Sequence, residues 1–516
     1  MTTARAVGCR GTRKWGVGMG HDAQFDGDWK PSSWDYVPEY GDRPPPWRRL
    51  LVERILRLSA RRRPHETAVV CGDRTLTWLE FDRLADRAAD GLLRSGLRPG
   101  SVVALSATNL PETFAMLFGI ARAGMVVLPL NPMNSPKEIE FQISEAKADL
   151  TISAAGPTVL DVIDRGRPDV VHEADVEETS PYWVRFTSGT TGLPRMFPNS
   201  QRNISLQALH MALDLRYRSD DTFLVNAPLA HASFNFALAA VQAGAKVVLH
   251  EKFDPENLWQ DCARQGITQM FMVPTMLAAA LRHPGEAPDL RTVFVTGATL
   301  PPTLKKAAVE RFPHVDFTEL YGTSELGMLA LLRGDESAGR EGSVGLPHFA
   351  SRIRILDDEG NQLPAGEIGI IYLQGLIMTS GFNGSVPAPE NSTRNGWVTS
   401  GDMGHLDEDG YLYLADRRSD LILTGGMNVY PAEVENALLQ APGVREVAVV
   451  GTPDDHWGQK VTAVVVGDAD QEALDAHCRD LLASYKIPRL YRFVDALPTS
   501  PTGKVLRRLL REETQK

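Results

Sequence analysis

From about Trp47 onward, apolar and polar positions along the chain follow two recurring rhythms. One has helical spacing. Thr77-Trp-Leu-Glu80 has the form of a capping box, and Phe81, Leu84, Ala88 and Leu92 after it share one helical face, with Gly96 as the stop. A second helix is expected over 112–122. The other rhythm is the short apolar run of a buried strand, at 102–105, 126–130, 223–225, 246–249, 269–273 and 292–296, with helix-length segments between. This alternation predicts mostly parallel sheets covered by helices. Near residue 350 the character changes: 352–356, an Asp-Asp-Glu-Gly turn and 367–373 read as antiparallel hairpin material, as do the flanks of Asp409-Gly410. The last block alternates again, with a helix over 431–440, strands near 444–451 and 460–466, and a helix over 471–483.

The fold class expected is therefore α/β. A large N-terminal domain, 48–416, carries mostly parallel helix-covered sheets plus a β-rich subdomain, and a small mobile α+β domain, 417–516, follows. Residues 1–47 read as a flexible tail: Arg5, Arg10, Arg13 and Lys14 come first, then an acidic stretch rich in Pro, Trp and Tyr, with no apolar run of a secretory signal. Met19 is an alternative start. No internal repeat is visible.

Composition narrows the class. The chain has 516 residues, with 43% hydrophobic and 23% charged, ordinary values for a globular protein with a real core. Acids outnumber bases, 65 to 54, for a net charge of −11, which argues against a nucleic-acid partner. The four cysteines, Cys9, Cys71, Cys262 and Cys478, are too far apart for a disulfide framework or a CxxC metal motif, and a reducing cytoplasm fits them. The longest mostly apolar stretch, 236–249, is too short for a transmembrane segment.

The sharpest local feature is Phe186-Thr-Ser-Gly-Thr-Thr-Gly-Leu-Pro-Arg195. Two glycines and four hydroxyl residues within 187–192 describe a loop able to fold amides and hydroxyls around an anion, with Arg195 adding charge. It lacks Walker A spacing. Alone, such a segment is more often a Ser/Thr/Gly surface loop. Others follow it in order: Asn226-Ala-Pro-Leu-Ala-His231, Val295-Thr-Gly-Ala-Thr-Leu-Pro301, Leu320-Tyr-Gly-Thr-Ser-Glu325, Thr399-Ser-Gly-Asp402, Asp416-Arg-Arg-Ser-Asp420-Leu-Ile-Leu-Thr-Gly425-Gly426, Val429-Tyr-Pro-Ala-Glu-Val434 and Pro501-Thr-Gly-Lys504. With this set the chain closely resembles the acyl-activating, adenylate-forming enzymes (acyl-CoA synthetases, aryl-acid CoA ligases, peptide-synthetase adenylation domains and luciferases) from about residue 65 to 512.

The resemblance implies two steps. A carboxylate attacks the α-phosphorus of Mg·ATP to give acyl-AMP and pyrophosphate, and a thiol, usually of CoA, then displaces AMP. Both steps need charge neutralisation more than covalent catalysis. By the resemblance, Thr187, Ser188, Gly189, Thr190, Thr191 and Gly192 cradle phosphates, with Arg195 where the family usually has Lys. Glu325 corresponds to the Mg²⁺ ligand, with Thr323 and Thr187 near the α-phosphate. Gly297, Ala298 and Thr299 form a strip facing adenine and substrate, beside Gly322, and Tyr321 stacks on the other face of the base. Asp402 and Arg417 bind the ribose, and Lys504 bridges carboxylate and phosphate during adenylation. Asp420 is the hinge about which the small domain turns. Gly425 and Gly426 line the thiol channel, while Trp457, Tyr485 and Arg489 match places that hold the CoA nucleotide in some aryl-acid ligases. An apolar Ile487 stands where such ligases can have a base.

His231 resembles the gate between acyl pocket and thiol channel. Adenylation domains for α-amino acids usually place an Asp just beyond it to pair the substrate ammonium; this chain has Asn235, and a buried unmatched cation is costly, so amino acids are disfavoured. The remaining lining, Ala232, Phe234, Phe271, Ala298, Leu320, Gly322, Leu326 and Met328, suits an aryl or aliphatic acid without charge beyond its carboxylate. The expected activity is an ATP-dependent acid–CoA ligase. Alternatives are a ligase loading a carrier-protein phosphopantetheine, and a catalytically silent nucleotide-binding protein.

Overall fold

The computed structural model describes residues 49–187, 195–323, 326–376, 393–394, 396–417, 420–425, 427–454, 456–499 and 505–513. The expected tail, 1–47, lies outside them.

The expected helix after Thr77 runs over Trp78–Arg94. Thr77 Oγ1 accepts from the Glu80 N–H while the Glu80 carboxylate accepts from the Thr77 N–H, the reciprocal bonds of a capping box. Its apolar face, with the helices Glu53–Arg62, Pro111–Arg122 and Ala232–Ala243, fills one principal core in which Phe81, Phe114 and Phe118 form mutual ring contacts. Arg122, expected only as the end of a helix, is fully buried: it pairs with Asp82 and with Asp86, which also holds Arg57. These charges fix how three helices cross.

Two sheets flank this core. In the smaller, strands run in the order Leu150–Ile152, Val102–Ser106, Val126–Leu130, Pro181–Thr187, Arg195–Ser200; the first four are parallel and the last is antiparallel. In the larger, Thr67–Cys71, Lys246–Leu249, Thr222–Val225, Gln269–Met272, Thr292–Val295 and Asp316–Thr323 are consecutive parallel neighbours. Beyond them the sheet turns antiparallel through Gly327–Leu332 and Ser343–Pro347 into Leu412–Arg417, Asp402–Leu406, Gly369–Gly375 and Ser351–Leu356. The change to antiparallel pairing thus comes at Gly327–Leu332, earlier than the expected place near residue 350.

Residues after 420 build a third sheet. Met427–Val429, Ile422–Thr424, Gly458–Gly467 and Val444–Asp454 pair antiparallel, and Leu490–Phe493 joins Gly458–Gly467 in parallel. Helices Pro431–Leu438 and Gln471–Leu481 pack a separate apolar core containing Val449, Val461, Val465 and Leu474. The architecture is the expected α/β class, with a large N-terminal and a small C-terminal domain. The three described cysteines are free and buried, and no described helix is long and apolar enough to cross a membrane.

Candidate active site

In open α/β sheets, ligands gather where parallel strands end at their carboxyl side. Several of the expected site residues sit at such ends. Thr187 closes Pro181–Thr187 and lies opposite Arg195, which opens Arg195–Ser200. Arg195 is therefore a buried strand residue, not a loop one. Ser188, Gly189, Thr190, Thr191 and Gly192, between those strands in the chain, lie outside the described residues, as do Glu325, Gly426 and Lys504.

Gly297, Ala298 and Thr299 follow the strand Thr292–Val295 and are exposed. Gly297 has φ +92°, and a Cβ there would stand 3.2 Å from Val273, so the strip needs glycine at its start. The helix after it, Pro302–Arg311, is tied to the next strand by Lys305 Nζ donating to Glu319 Oε1 (2.7 Å). Burial pushes the Glu319 carboxyl upward, and Lys305 opposes that rise. One step along the strand, Leu320 and Tyr321 are buried and Gly322 is exposed. A Cβ on Gly322 would lie 2.4 Å from the Gly327 carbonyl oxygen, so no other residue fits. Thr323 ends the strand, and its Oγ1 is buried with no hydrogen-bond partner. An orphaned hydroxyl oxygen at this point suits a phosphate oxygen or a hard cation.

Asp402, expected at the ribose, meets Tyr321. Its hydroxyl donates to Asp402 Oδ2 (2.8 Å), and Ser400 Oγ donates to the same oxygen (2.7 Å). Asp402 and Arg417 are direct cross-strand partners, although nothing is described of the Arg417 side chain. The run Thr399-Ser-Gly-Asp402 bends because Thr399 Oγ1 accepts from the Gly401 N–H and Gly401 takes φ +84°.

The residues expected to line the acyl pocket gather around the helix Ala232–Ala243, whose N-cap is His231. Asn131, just past the strand Val126–Leu130, accepts from the Met133 N–H through Oδ1, which turns its Nδ2 to donate to His231 Nε2 (3.0 Å). The ring's proton is thereby left to Nδ1. Buried Asn109 steadies the segment before His231: it accepts from Leu229 N–H and donates to the Ala227 and His250 carbonyls. One turn into the helix, Asn235 Oδ1 accepts from Arg185 Nη2 (3.1 Å). Phe234 is fully buried, stacked on Trp183 at 4.3 Å, and Phe271 stacks on Phe236 at 4.8 Å. Leu320 and Met328 join the principal core, Leu326 the core of the antiparallel strands, and Ala232 is partly exposed.

Asn109, Asn131, Arg185 and Ser400 escaped the sequence reading. Arg185 alone carried a signal, a charge in the apolar run leading to the glycine-rich loop.

The remaining residues lie in the C-terminal part. Asp420 is held by Arg511 Nη2 (2.6 Å), with Arg507 at 3.8 Å. Gly425, at φ +57°, donates its N–H to the Trp457 carbonyl (2.8 Å), and a Cβ there would press on the indole at 2.8 Å. The Arg489 guanidinium stacks over Trp457 at 4.0 Å. Tyr485 neighbours Lys486, whose ammonium pairs with Glu433, and Ile487 packs against the small core.

The profile of the AMP-binding enzyme family matches residues 56–382, and that of the AMP-binding enzyme C-terminal domain matches 433–504. The chain belongs to the AMP-binding enzyme family. Among relatives of this AMP-binding enzyme, a feruloyl-CoA synthase of an Amycolatopsis species is 35% identical over 87% of this chain and 96% of its own. A 2-succinylbenzoate–CoA ligase of Bacillus licheniformis is 34% identical over 88% and 98%. The o-succinylbenzoate CoA synthetase of Bacillus subtilis, solved with its acyl-adenylate intermediate, superposes with a TM-score of 0.81 at 30% identity, over 89% of this chain and 97% of that one. The same synthetase has been solved with ATP and a magnesium ion, at a TM-score of 0.82 and 29% identity over 90% and 99%. The resemblance read from the ordered motifs is borne out, and the AMP-binding enzyme is an adenylate-forming ligase.

Proposed function

We propose that this ligase activates an aryl or aliphatic carboxylic acid to its acyl-adenylate and passes the acyl group to the thiol of CoA. The observation carrying this reading is the convergence at one group of strand ends. The Tyr321–Asp402 pair, the small-residue strip 297–299, the orphaned Thr323 hydroxyl and the His231 helix start all lie there.

In the first step the ribose hydroxyls donate to Asp402, already oriented by Tyr321 and Ser400, while adenine lies along 297–299. The 187–192 loop and Arg195 hold the phosphates. Bound with ATP, Mg²⁺ supplies charge neutralisation at the phosphates, and Glu325 with Thr323 would hold it. The substrate carboxylate attacks the α-phosphorus beside His231, the α–β phosphoanhydride bond breaks to release pyrophosphate, and Lys504 offsets the charge that builds on carboxylate and phosphate. Rotation about Asp420 then brings Gly425, Gly426 and the Trp457–Arg489 surface to the thiol, which attacks the acyl carbonyl and releases AMP. His231, held by Asn131, acts as the gate between acyl pocket and thiol channel.

The test is pyrophosphate release with benzoates, phenylpropanoids and fatty acids of graded length, with and without CoA. Acid-dependent release with acyl-CoA as product is expected. Release with no thioester would instead make a carrier protein the acceptor. Lys504→Ala is expected to lower acyl-AMP formation by about 10²–10³-fold while ATP still binds. Unchanged adenylation would remove Lys504 from the mechanism.

A further inference from the structure

We propose that Asn131 is the positioning residue of the gate. Its amide holds the His231 ring closed over the acyl pocket, and the ring leaves that bond before the thiol of CoA reaches the acyl carbonyl. This rests on the ligase reading above and assigns control of its second step.

Asn131 follows the strand Val126–Leu130 and is 2% exposed. Its place is fixed twice over. Oδ1 accepts from the Met133 N–H at 3.0 Å, and the backbone carbonyl accepts from the Asn134 N–H at 3.0 Å. The side chain thus acts as a turn residue, which sets the plane of its amide independently of His231. Nδ2 then donates to His231 Nε2 at 3.0 Å. The main chain beneath the ring is held separately. The His231 N–H donates to the Pro228 carbonyl, and the His231 carbonyl accepts from the Phe234 N–H, both at 3.3 Å. Buried Asn109 grips the residues on either side of Pro228, through the Ala227 carbonyl and the Leu229 N–H, and its amide also donates to the His250 carbonyl. With the backbone clamped in this way, the gate moves by turning its ring about the side-chain bonds, and that turn breaks the bond from Asn131. A hydrogen bond between two neutral groups is modest in net strength, so it orients the ring and still lets it go within a catalytic cycle. A charged partner would hold the ring harder.

The test uses the full chain, CoA and whichever of the acids named above gives the fastest pyrophosphate release. Single-turnover experiments time acyl-AMP formation and thioester formation separately. Asn131→Asp keeps an acceptor for the Met133 N–H but replaces the donor with a carboxylate oxygen, which accepts from the ring once the proton sits on Nε2. That charge-assisted bond is expected to slow thioester formation by about tenfold, and acyl-AMP formation by much less. Asn131→Ala leaves the ring without this hold: in the absence of CoA, water is expected to convert acyl-AMP to free acid and AMP several-fold faster than in the wild type. A residue that merely closes a turn would instead move both steps together. His231→Ala tests whether the effect runs through the ring. In that background Asn131→Asp is expected to leave thioester formation at the rate His231→Ala alone gives. Should Asn131→Asp misfold by circular dichroism, Asn131→Ala decides through the same comparison. Equal slowing of both steps, or an Asn131 effect that survives in His231→Ala, overturns the role of Asn131 and leaves the ligase reading standing. No pyrophosphate release with any acid overturns the ligase reading and this inference with it.

Discussion

Asp402 receives two hydroxyl donors on a single oxygen, from Tyr321 and Ser400, before any nucleotide arrives. A carboxylate aimed in this way spends no free energy on orientation when ribose binds. Tyr321→Phe removes one donor to a charged acceptor, a contact worth about 1.5–3 kcal/mol. The expected outcome is a KM for ATP raised by about tenfold or more, with the KM for the acid little changed; an unaltered ATP KM would show that Ser400 suffices. Gly322→Ala meets a harder obstacle, because its Cβ would overlap the Gly327 carbonyl. That substitution is expected to displace the 320–323 segment, and to lower both the thermal midpoint and adenylation. The glycines, Asp402 and His231 were legible in the sequence because their chemistry lies within short runs. Asn109 and Asn131 were not, since the groups they hold stand a hundred residues or more away along the chain. A lone asparagine gives no sign of such a partner.

Helices and strands were legible to the degree that their own residues decide them. The capping box at Thr77 closes with both reciprocal bonds, and the parallel runs appear where continuous apolar segments stand. The strand Arg195–Ser200 went unforeseen, because Met-Phe-Pro-Asn does not alternate and only its partner Pro181–Thr187 makes it a strand. The helix Gln201–Asp214 holds another feature invisible in one dimension: His210 stacks on His348 at 4.4 Å, with Asp214 3.5 Å from the His210 ring. His348 Nε2 donates to the Met328 carbonyl and Nδ1 accepts from the Ala350 N–H, so its two nitrogens are engaged as the neutral ring. Burial, aided by His210, pushes its pKa down from 6.5 to about 4. Between those values the unfolded chain binds more protons than the folded one. Stability is therefore full above pH 6.5 and falls as pH drops toward 4, by about 3 kcal/mol from this group. Thermal midpoints measured from pH 7.5 to 5 should decline, and His348→Gln should flatten that decline. A decline of equal slope in the variant would acquit His348.

The whole molecule joins two bodies of different size through a short stretch near Asp420. Arg511 and Arg507, on the helix Arg507–Glu513 that follows the Lys504 segment, both reach Asp420. Arg507 also holds Glu435 at the helix Pro431–Leu438. Asp420 and the helix Arg507–Glu513 are thus tied within one half-buried ion-pair network. Arg511→Ala loosens that tie. Single-turnover measurements are expected to show thioester formation slowed several-fold more than acyl-AMP formation. Equal slowing of both steps would assign the pair to stability alone.

The Asn109 clamp has a consequence for redesign. Because one buried side chain grips both the approach to His231 and the end of the neighbouring strand at His250, that wall of the acyl pocket is costly to reshape. A backbone shift on one segment drags the other. Laboratory evolution toward new acids should therefore find the 226–231 segment nearly barren.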